Sequence, residues 1–349
     1  MGMMIKQLML VGKNQVEQQD AEVANDDLTI LVRNRYSLIS PGTELALFTG
    51  THFGFTDPEI AWARYPLRPG YASVGTVLAA GSGTKGFNVG DLVLHYQPHA
   101  SHSVVRPGTD LVFHLPEGID EQRALFARFG QIAYTAVSAS NAGGGYVLVL
   151  GGGIVGNLAA QLFQARRGRK AIVVDLSSSR VTLARKCGLE ISICSSGEDL
   201  HRAIQDVTRG EGITTVVEAT GVPALVAESL DLVNRLGEVI LLGSTRGKVE
   251  LDVYKRIHRK VVTVIGAHES RYPLFGEPGV STGQALHASH DFFGSDVLSM
   301  IADGTIKLDG FITDTVSPAD TGKAYDMLLS DKEAHLGIII DWNLGRGTL

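Results

Sequence analysis

Cysteine is scarce in this chain, and so is an excess of charge of either sign. Its 349 residues include two cysteines, Cys187 and Cys194. Two thiols cannot build a disulfide framework or a four-cysteine zinc lobe. They suit a reducing compartment, so a cytoplasmic protein is expected. Charge is 31 basic residues against 37 acidic, net −6 with histidine neutral. That balance excludes the basic patch of a non-specific nucleic-acid binder, and no nucleic-acid partner is expected. No run approaches the ~20 apolar residues of a membrane span, so no membrane partner is expected. The stretch from Met1 to Asp20 turns polar after Gly12 and shows no apolar signal region or cleavage site. No repeat of about 20–50 residues is evident.

Apolar residues are plentiful at 44%, enough to bury a core, and there are 41 glycines without a Gly-X-Y period. At ~100–200 residues per domain, the length suggests two domains. Seven glycines fall between Gly143 and Gly156, and that cluster divides two textures. Before it, short runs such as Leu28–Val32, Ala72–Leu78 and Asp91–Leu94 are bounded by Pro41-Gly42, Pro69-Gly70 and Pro107-Gly108 turns, the pattern of a β-rich domain. After it, strands at Val147–Leu150, Ala171–Val174, Ile191–Cys194, Thr214–Val217, Val239–Leu242 and Val261–Ile265 alternate with helices. This α/β alternation predicts a Rossmann doubly wound parallel sheet. A further strand, Leu336–Ile340, can rejoin the first domain. The expected division is 1–122 with 290–349 for a discontinuous β-rich catalytic domain, and 123–289 for the dinucleotide-binding domain.

Gly151-Gly152-Gly153-Ile154-Val155-Gly156 follows a strand and opens a helix, and Asp175 ends the next strand. The spacing fits a dinucleotide fingerprint. Gly151 permits the tight turn, Gly153 lets backbone approach a pyrophosphate, and Gly156 lets helix and strand pack closely. The helix start at Ile154 and Val155 presents N–H groups to the phosphates. Asp175 would accept from the ribose hydroxyls and repel a 2′-phosphate, which favours NAD over NADP. Ser177, Ser178, Ser179 and Arg180 are the NADP alternative, being able to hold a phosphate.

The order of a β-rich half and this loop resembles the medium-chain dehydrogenase/reductase superfamily, with its GroES-like catalytic domain. Ile39-Ser40-Pro41-Gly42-Thr43-Glu44-Leu45 looks like the segment carrying its first zinc-ligand cysteine. Pro69-Gly70-Tyr71-Ala72-Ser73-Val74-Gly75 looks like its Gly-His-Glu segment, and Gly90-Asp91-Leu92-Val93 its Gly-Asp-x-Val turn. Val217-Glu218-Ala219-Thr220-Gly221 and Gly237-Glu238-Val239-Ile240 resemble its fourth and fifth cofactor strands. The zinc-ligand positions hold Pro41, Tyr71 and, by approximate alignment, Arg128. A guanidinium cannot coordinate a cation, so the resemblance is to a zinc-independent member, with no metal expected. Ser40-Pro41-Gly42-Thr43-Glu44 and Tyr65-Pro66-Leu67-Arg68-Pro69-Gly70-Tyr71 resemble the bacteriochlorophyllide dehydrogenase branch and sugar dehydrogenases that include guloside 3-dehydrogenase.

The resemblance implies a hydride transfer between NAD and a secondary alcohol or ketone of a sugar, polyol or cyclitol. It brings Tyr71 and Arg128 toward one point, with Tyr71 as acid/base or hydrogen-bond donor. Arg128 beside it would lower the phenol's pKa from ~10, or would clamp an acidic substrate. Glu44 would orient Tyr71 or Arg128, and Thr43 would relay the substrate proton. Arg180, Thr220, Gly243 and His268 join the cofactor list, and a homodimer or homotetramer is expected. Rival readings are an NADPH-dependent quinone or enone reductase, a bacteriochlorophyllide-type dehydrogenase and a non-catalytic nucleotide sensor. His95, His99 and His102 lie close together, but no cysteine or carboxylate completes a metal site there. The aromatic loop Thr51–Tyr65 offers either ring stacking to a substrate or packing within the β domain.

Overall fold

A computed structural model of the chain describes residues 2–276 and 288–344. The chain divides into two compact units, Met1–Arg128 with Phe311–Leu349, and Phe129–Gly310. In chain order the first unit contributes β1 (Met3–Gly12), β2 (Gln15–Val23), β3 (Ile30–Leu38), α1 (Thr43–Phe48), β4 (Ser73–Ala80), β5 (Leu92–His95), β6 (His102–Val105), β7 (Val112–His114) and α2 (Glu121–Ala124). Helix α3 (Ala127–Ala139) crosses the boundary. The second unit then carries β8 (Tyr146–Leu150), α4 (Ile154–Arg167), β9 (Lys170–Asp175), α5 (Ser178–Lys186), β10 (Ser192–Cys194), α6 (Gly197–Thr208), β11 (Ile213–Glu218), α7 (Pro223–Leu232), β12 (Val233–Leu241), β13 (Thr263–Gly266) and α8 (His290–Ala302). The first unit ends with β14 (Ile312–Val316), α9 (Thr321–Ser330) and β15 (Gly337–Asp341).

The first unit is built on a mostly antiparallel sheet in the order β14-β15-β3-β4-β5-β7, with β6 also pairing β3. Its inward positions Ile30, Val32, Val77, Val93 and Val105 are fully buried. These β-branched side chains are stiff and pack well on a pleated face. β15 pairs antiparallel with β3 through Ile339↔Leu38 and Ile340↔Ser37, so the last described strand does return to the first domain's sheet. Pattern reading missed the hairpin β1–β2, where polar residues alternate on an exposed face and Asn14 turns at φ 56°.

The second unit is a six-stranded parallel sheet, β10-β9-β8-β11-β12-β13. Tyr146–Leu150 is buried along its whole length. Such a run suits a parallel strand covered on both faces. Helix α4 stops at Gly168, which takes φ 60° as a left-handed cap.

Residues 123–128 and 290–310 lie across the unit boundaries from the expected divisions at 122/123 and 289/290. The reasons are local packing. Phe126 meets Phe311 edge-on at 5.3 Å within the first unit. In the second, Tyr134 of α3 stacks on Phe293 of α8 at 4.6 Å and donates to Asp296 at 2.9 Å. Among the described residues, no helix is long and apolar enough to cross a membrane.

Candidate active site

The ends of the parallel strands assemble a candidate cofactor site in the second unit. In register, Leu150, Val174, Glu218, Leu241 and Gly266 lie at the carboxyl edge of the sheet. β8 is flanked by β9 on one side and β11 on the other, so the strand order reverses there. Ligands of open α/β sheets bind at this kind of switch point. Gly151 sits in the turn at φ 103°, a region that L side chains avoid. A Cβ on Gly156 would stand 1.9 Å from the Gly151 carbonyl oxygen, so α4 touches the loop backbone. Gly153 caps α4 with no side-chain hydrogen bond, and a Cβ there would meet nothing within 4 Å. The N–H groups of Ile154 and Val155 at that start have no partner within the helix. This backbone fits a pyrophosphate.

Asp175 is half-buried and held in place by two amides. The Gly152 N–H donates to Oδ2 at 2.7 Å, and the Ser177 N–H to Oδ1 at 2.8 Å. The Ser177 hydroxyl caps α5, accepting from the Arg180 N–H at 3.1 Å, and contacts the Ser179 hydroxyl at 2.8 Å. The serines expected as a phosphate alternative thus serve the helix start. Exposed Thr220 follows β11, and a Cβ on Gly151 would lie 2.9 Å from its Cγ2. Glu218, fully buried, accepts from the Thr220 N–H at 2.7 Å, and its carbonyl accepts from the Gly243 N–H at 2.7 Å. One carboxylate and one carbonyl therefore shape both loops. His268 follows β13, is exposed, and accepts at Nδ1 from the Ser270 N–H at 3.1 Å.

A separate set of candidate residues lies in the first unit, between the turn before α1 and the turn before β4. Tyr71 follows Gly70, whose φ is 95°. The Tyr71 and Ser40 hydroxyls share a short hydrogen bond. The Arg128 guanidinium lies over the rings of Tyr71, at 5.0 Å, and Tyr96, at 4.8 Å. The expected convergence of Tyr71 and Arg128 is present. The expected lowering of the phenol's pKa is not. Burial pushes it above the ordinary tyrosine value, and this outweighs the opposing pull of Arg128 and of the Ser40 and Thr43 hydroxyls. A guanidinium on a ring face stabilises a phenolate less than a cation at the oxygen does.

Glu44 is buried, and its negative charge adds to the rise in the Tyr71 pKa. Oε1 accepts from the Ser40 N–H at 2.7 Å, and Oε2 meets His99 Nε2 at 2.9 Å and the Tyr325 hydroxyl at 2.9 Å. Its hydrogen-bonded path to Tyr71 runs through Ser40. Thr43 begins α1. Sequence reasoning missed Ser40, although it lies inside the recognised segment, and missed His99, Tyr325 and Trp342. Tyr325 is 281 positions from Glu44, and no local pattern links them.

The neighbouring histidines diverge. His95 contacts Asn34 Oδ1 at 2.8 Å, His99 contacts Glu44, and His102 contacts the Ser101 hydroxyl at 3.0 Å. Among the described residues, no three metal-ligating side chains converge. The aromatic loop packs on itself, His52 on Phe53 at 4.5 Å and Phe55 on Tyr65 at 4.7 Å.

The family described as zinc-binding dehydrogenase matches residues 155–276. An L-threonine 3-dehydrogenase from Deinococcus deserti is 28% identical over 307 residues, covering 79% of this chain and 83% of its own. An alcohol dehydrogenase from Escherichia coli CFT073 complexed with NADH superposes with TM-score 0.79 at 17% identity, covering 97% of this chain and 99% of its own. A zinc-binding dehydrogenase from Sinorhizobium meliloti 1021 bound to NADP gives 0.76 at 20% identity, with 97% and 99% covered. These findings support the resemblance to the medium-chain dehydrogenase/reductase superfamily. Within that superfamily, zinc is the group to test against these residues. The matched stretch does not include Pro41, Tyr71 or Arg128. Proline's side chain has no donor atom, a phenol with a raised pKa resists becoming a phenolate ligand, and a guanidinium is a fixed cation. These three residues do not fit zinc.

Proposed function

We propose that the chain is an NAD-dependent, zinc-independent dehydrogenase that moves a hydride between nicotinamide and a secondary carbinol carbon. By its resemblance to the superfamily it is an oxidoreductase of the alcohol-dehydrogenase type. The carrying observation is the Tyr71 phenol, bonded to Ser40 and backed by Arg128, at a position that the resemblance aligns with a zinc ligand. The cofactor, when bound, takes up or gives up the hydride. Tyr71 handles the proton: in reduction its O–H gives a proton to the oxygen that becomes the alcohol, and in oxidation the phenolate takes it back. The Ser40 hydroxyl holds the phenol and Arg128 supplies a positive charge near the reacting oxygen.

A nicotinamide cofactor is supported by the Gly151–Gly156 loop and by the NADH- and NADP-bound structural neighbours. Preference for NAD rests on Asp175, whose carboxylate two amides hold at the strand end. A secondary alcohol is supported by the threonine dehydrogenase relative, since position 3 of threonine carries one. The sugar, polyol or cyclitol class follows the resemblance of the Ser40–Glu44 and Tyr65–Tyr71 segments.

The test is a screen of NAD and NADP reduction across sugars, polyols and cyclitols, with Tyr71→Phe run beside the native chain. We expect turnover with NAD and a loss of at least about tenfold in Tyr71→Phe. Undiminished turnover in the variant would remove Tyr71 from the reaction. Preference for NADP would remove the role given to Asp175.

A further inference from the structure

We propose that the buried Glu44–His99 pair is a positioning unit that holds Tyr71 from both sides. The inference rests on the role given to Tyr71 above, and its test does not require turnover. One side is the Ser40 turn. Glu44 Oε1 accepts from the Ser40 N–H at 2.7 Å, and the Glu44 N–H donates to the Ser40 carbonyl at 3.2 Å. The turn that carries the Ser40 hydroxyl to Tyr71 is thereby closed at both ends. The other side is the Pro69-Gly70 turn. The His99 N–H donates to the Pro69 carbonyl at 2.9 Å, and a Cβ on Gly70 would lie 2.5 Å from His99 Cγ. The imidazole is seated against the residue that precedes Tyr71.

The pair's protonation pattern follows from its donors. Trp342 Nε1 can only donate, and it does so to the Ser37 oxygen at 2.9 Å. The Glu44 carboxylate can only accept, so the proton sits on His99 Nε2, which donates to Oε2 at 2.9 Å. The neutral ring's Nδ1 then accepts from the Ser37 O–H at 2.8 Å. Tyr325 donates to the same Glu44 oxygen at 2.9 Å. His99 is fully buried and Glu44 is 1% exposed, so both position Tyr71 from within, through Ser40 and Gly70.

The experiment titrates the Tyr71 phenol by near-ultraviolet phenolate absorbance. Each protein is subtracted from its own Tyr71→Phe partner, to isolate one of nine tyrosines. His99→Ala frees the Ser40 turn, and we expect the Tyr71 pKa to rise by about one unit, tenfold in its ionisation constant. His99→Gln, which keeps an N–H donor toward Glu44, should return most of that shift. An unmoved titration in folded His99→Ala overturns the proposal, as does a shift that His99→Gln fails to reverse. If His99→Ala does not fold, Ser37→Ala carries the same test, with a smaller rise expected and no change overturning it. Failure of the dehydrogenase reading would show separately, as retained turnover in Tyr71→Phe.

Discussion

Tyr71 carries two opposed influences, and the larger comes from its surroundings. The phenol is buried enough that its pKa rises, although Arg128 lies over its ring. At neutral pH Tyr71 therefore holds its proton. It is ready to donate in carbonyl reduction, whereas alcohol oxidation must wait for the phenolate. We expect kcat/KM for oxidation to climb about tenfold per pH unit until the medium passes the raised pKa, above ~10. Reduction should stay level from neutral to mildly alkaline pH and fall only beyond that point. Initial rates in both directions across that range check it, and an oxidation limb that levels off near pH ~8 would contradict the assignment. The meeting of Tyr71 and Arg128 was legible in the aligned segments. The sign of the pKa shift was not, because desolvation depends on everything packed around the phenol. Ser40 lies in the same segment, but nothing local marks it as Tyr71's partner, since serine in a Ser-Pro-Gly turn looks like turn chemistry.

At the scale of the element, the β8–α4 turn separates two reasons for glycine. Gly156 is required by contact within the loop, with its Cβ position 1.9 Å from the Gly151 oxygen. Gly153 opens onto empty space, so what it spares is the approach of a ligand. Gly156→Ala should lower both the thermal midpoint of the unliganded protein and its NADH affinity. Gly153→Ala should leave the midpoint within about 2 °C and weaken NADH at least about tenfold, read by cofactor fluorescence. Equal loss of stability in the two variants would refute this division. This turn was readable in advance, since its spacing, strand and following helix are all local. The hairpin β1–β2 was not, because its second strand is polar, has no fully buried position and so resembles a solvated coil.

Across the whole molecule, stability is tied to a buried neutral histidine. His95 is fully buried, contacts Asn34 Oδ1 at 2.8 Å and accepts from the Gln97 N–H at 3.2 Å. Burial pushes its pKa down from 6.5 to about 3. The folded state favours the neutral ring, so this contribution is whole above pH 6.5 and is lost progressively as pH falls toward about 3. Urea unfolding between those limits should show a loss of at most about 4 kcal/mol attributable to this group, and His95→Gln should flatten the slope. An unchanged slope in the variant would assign the acid sensitivity elsewhere. By itself, the sequence determined the alternating strands and helices, the phosphate loop with Asp175, and a Pro41, Tyr71 and Arg128 set whose chemistry does not suit zinc. Those features are recorded at short spacings or by residue chemistry alone. Only the tertiary structure decided that Glu44 answers to His99 and Tyr325, that Trp342 stands behind Ser37 from 305 positions away, and that Tyr71 is held through Ser40. These contacts depend on which strands pair. β15 reaches β3 only when the sheet closes, and side chains with no common local pattern then share one buried set of hydrogen bonds.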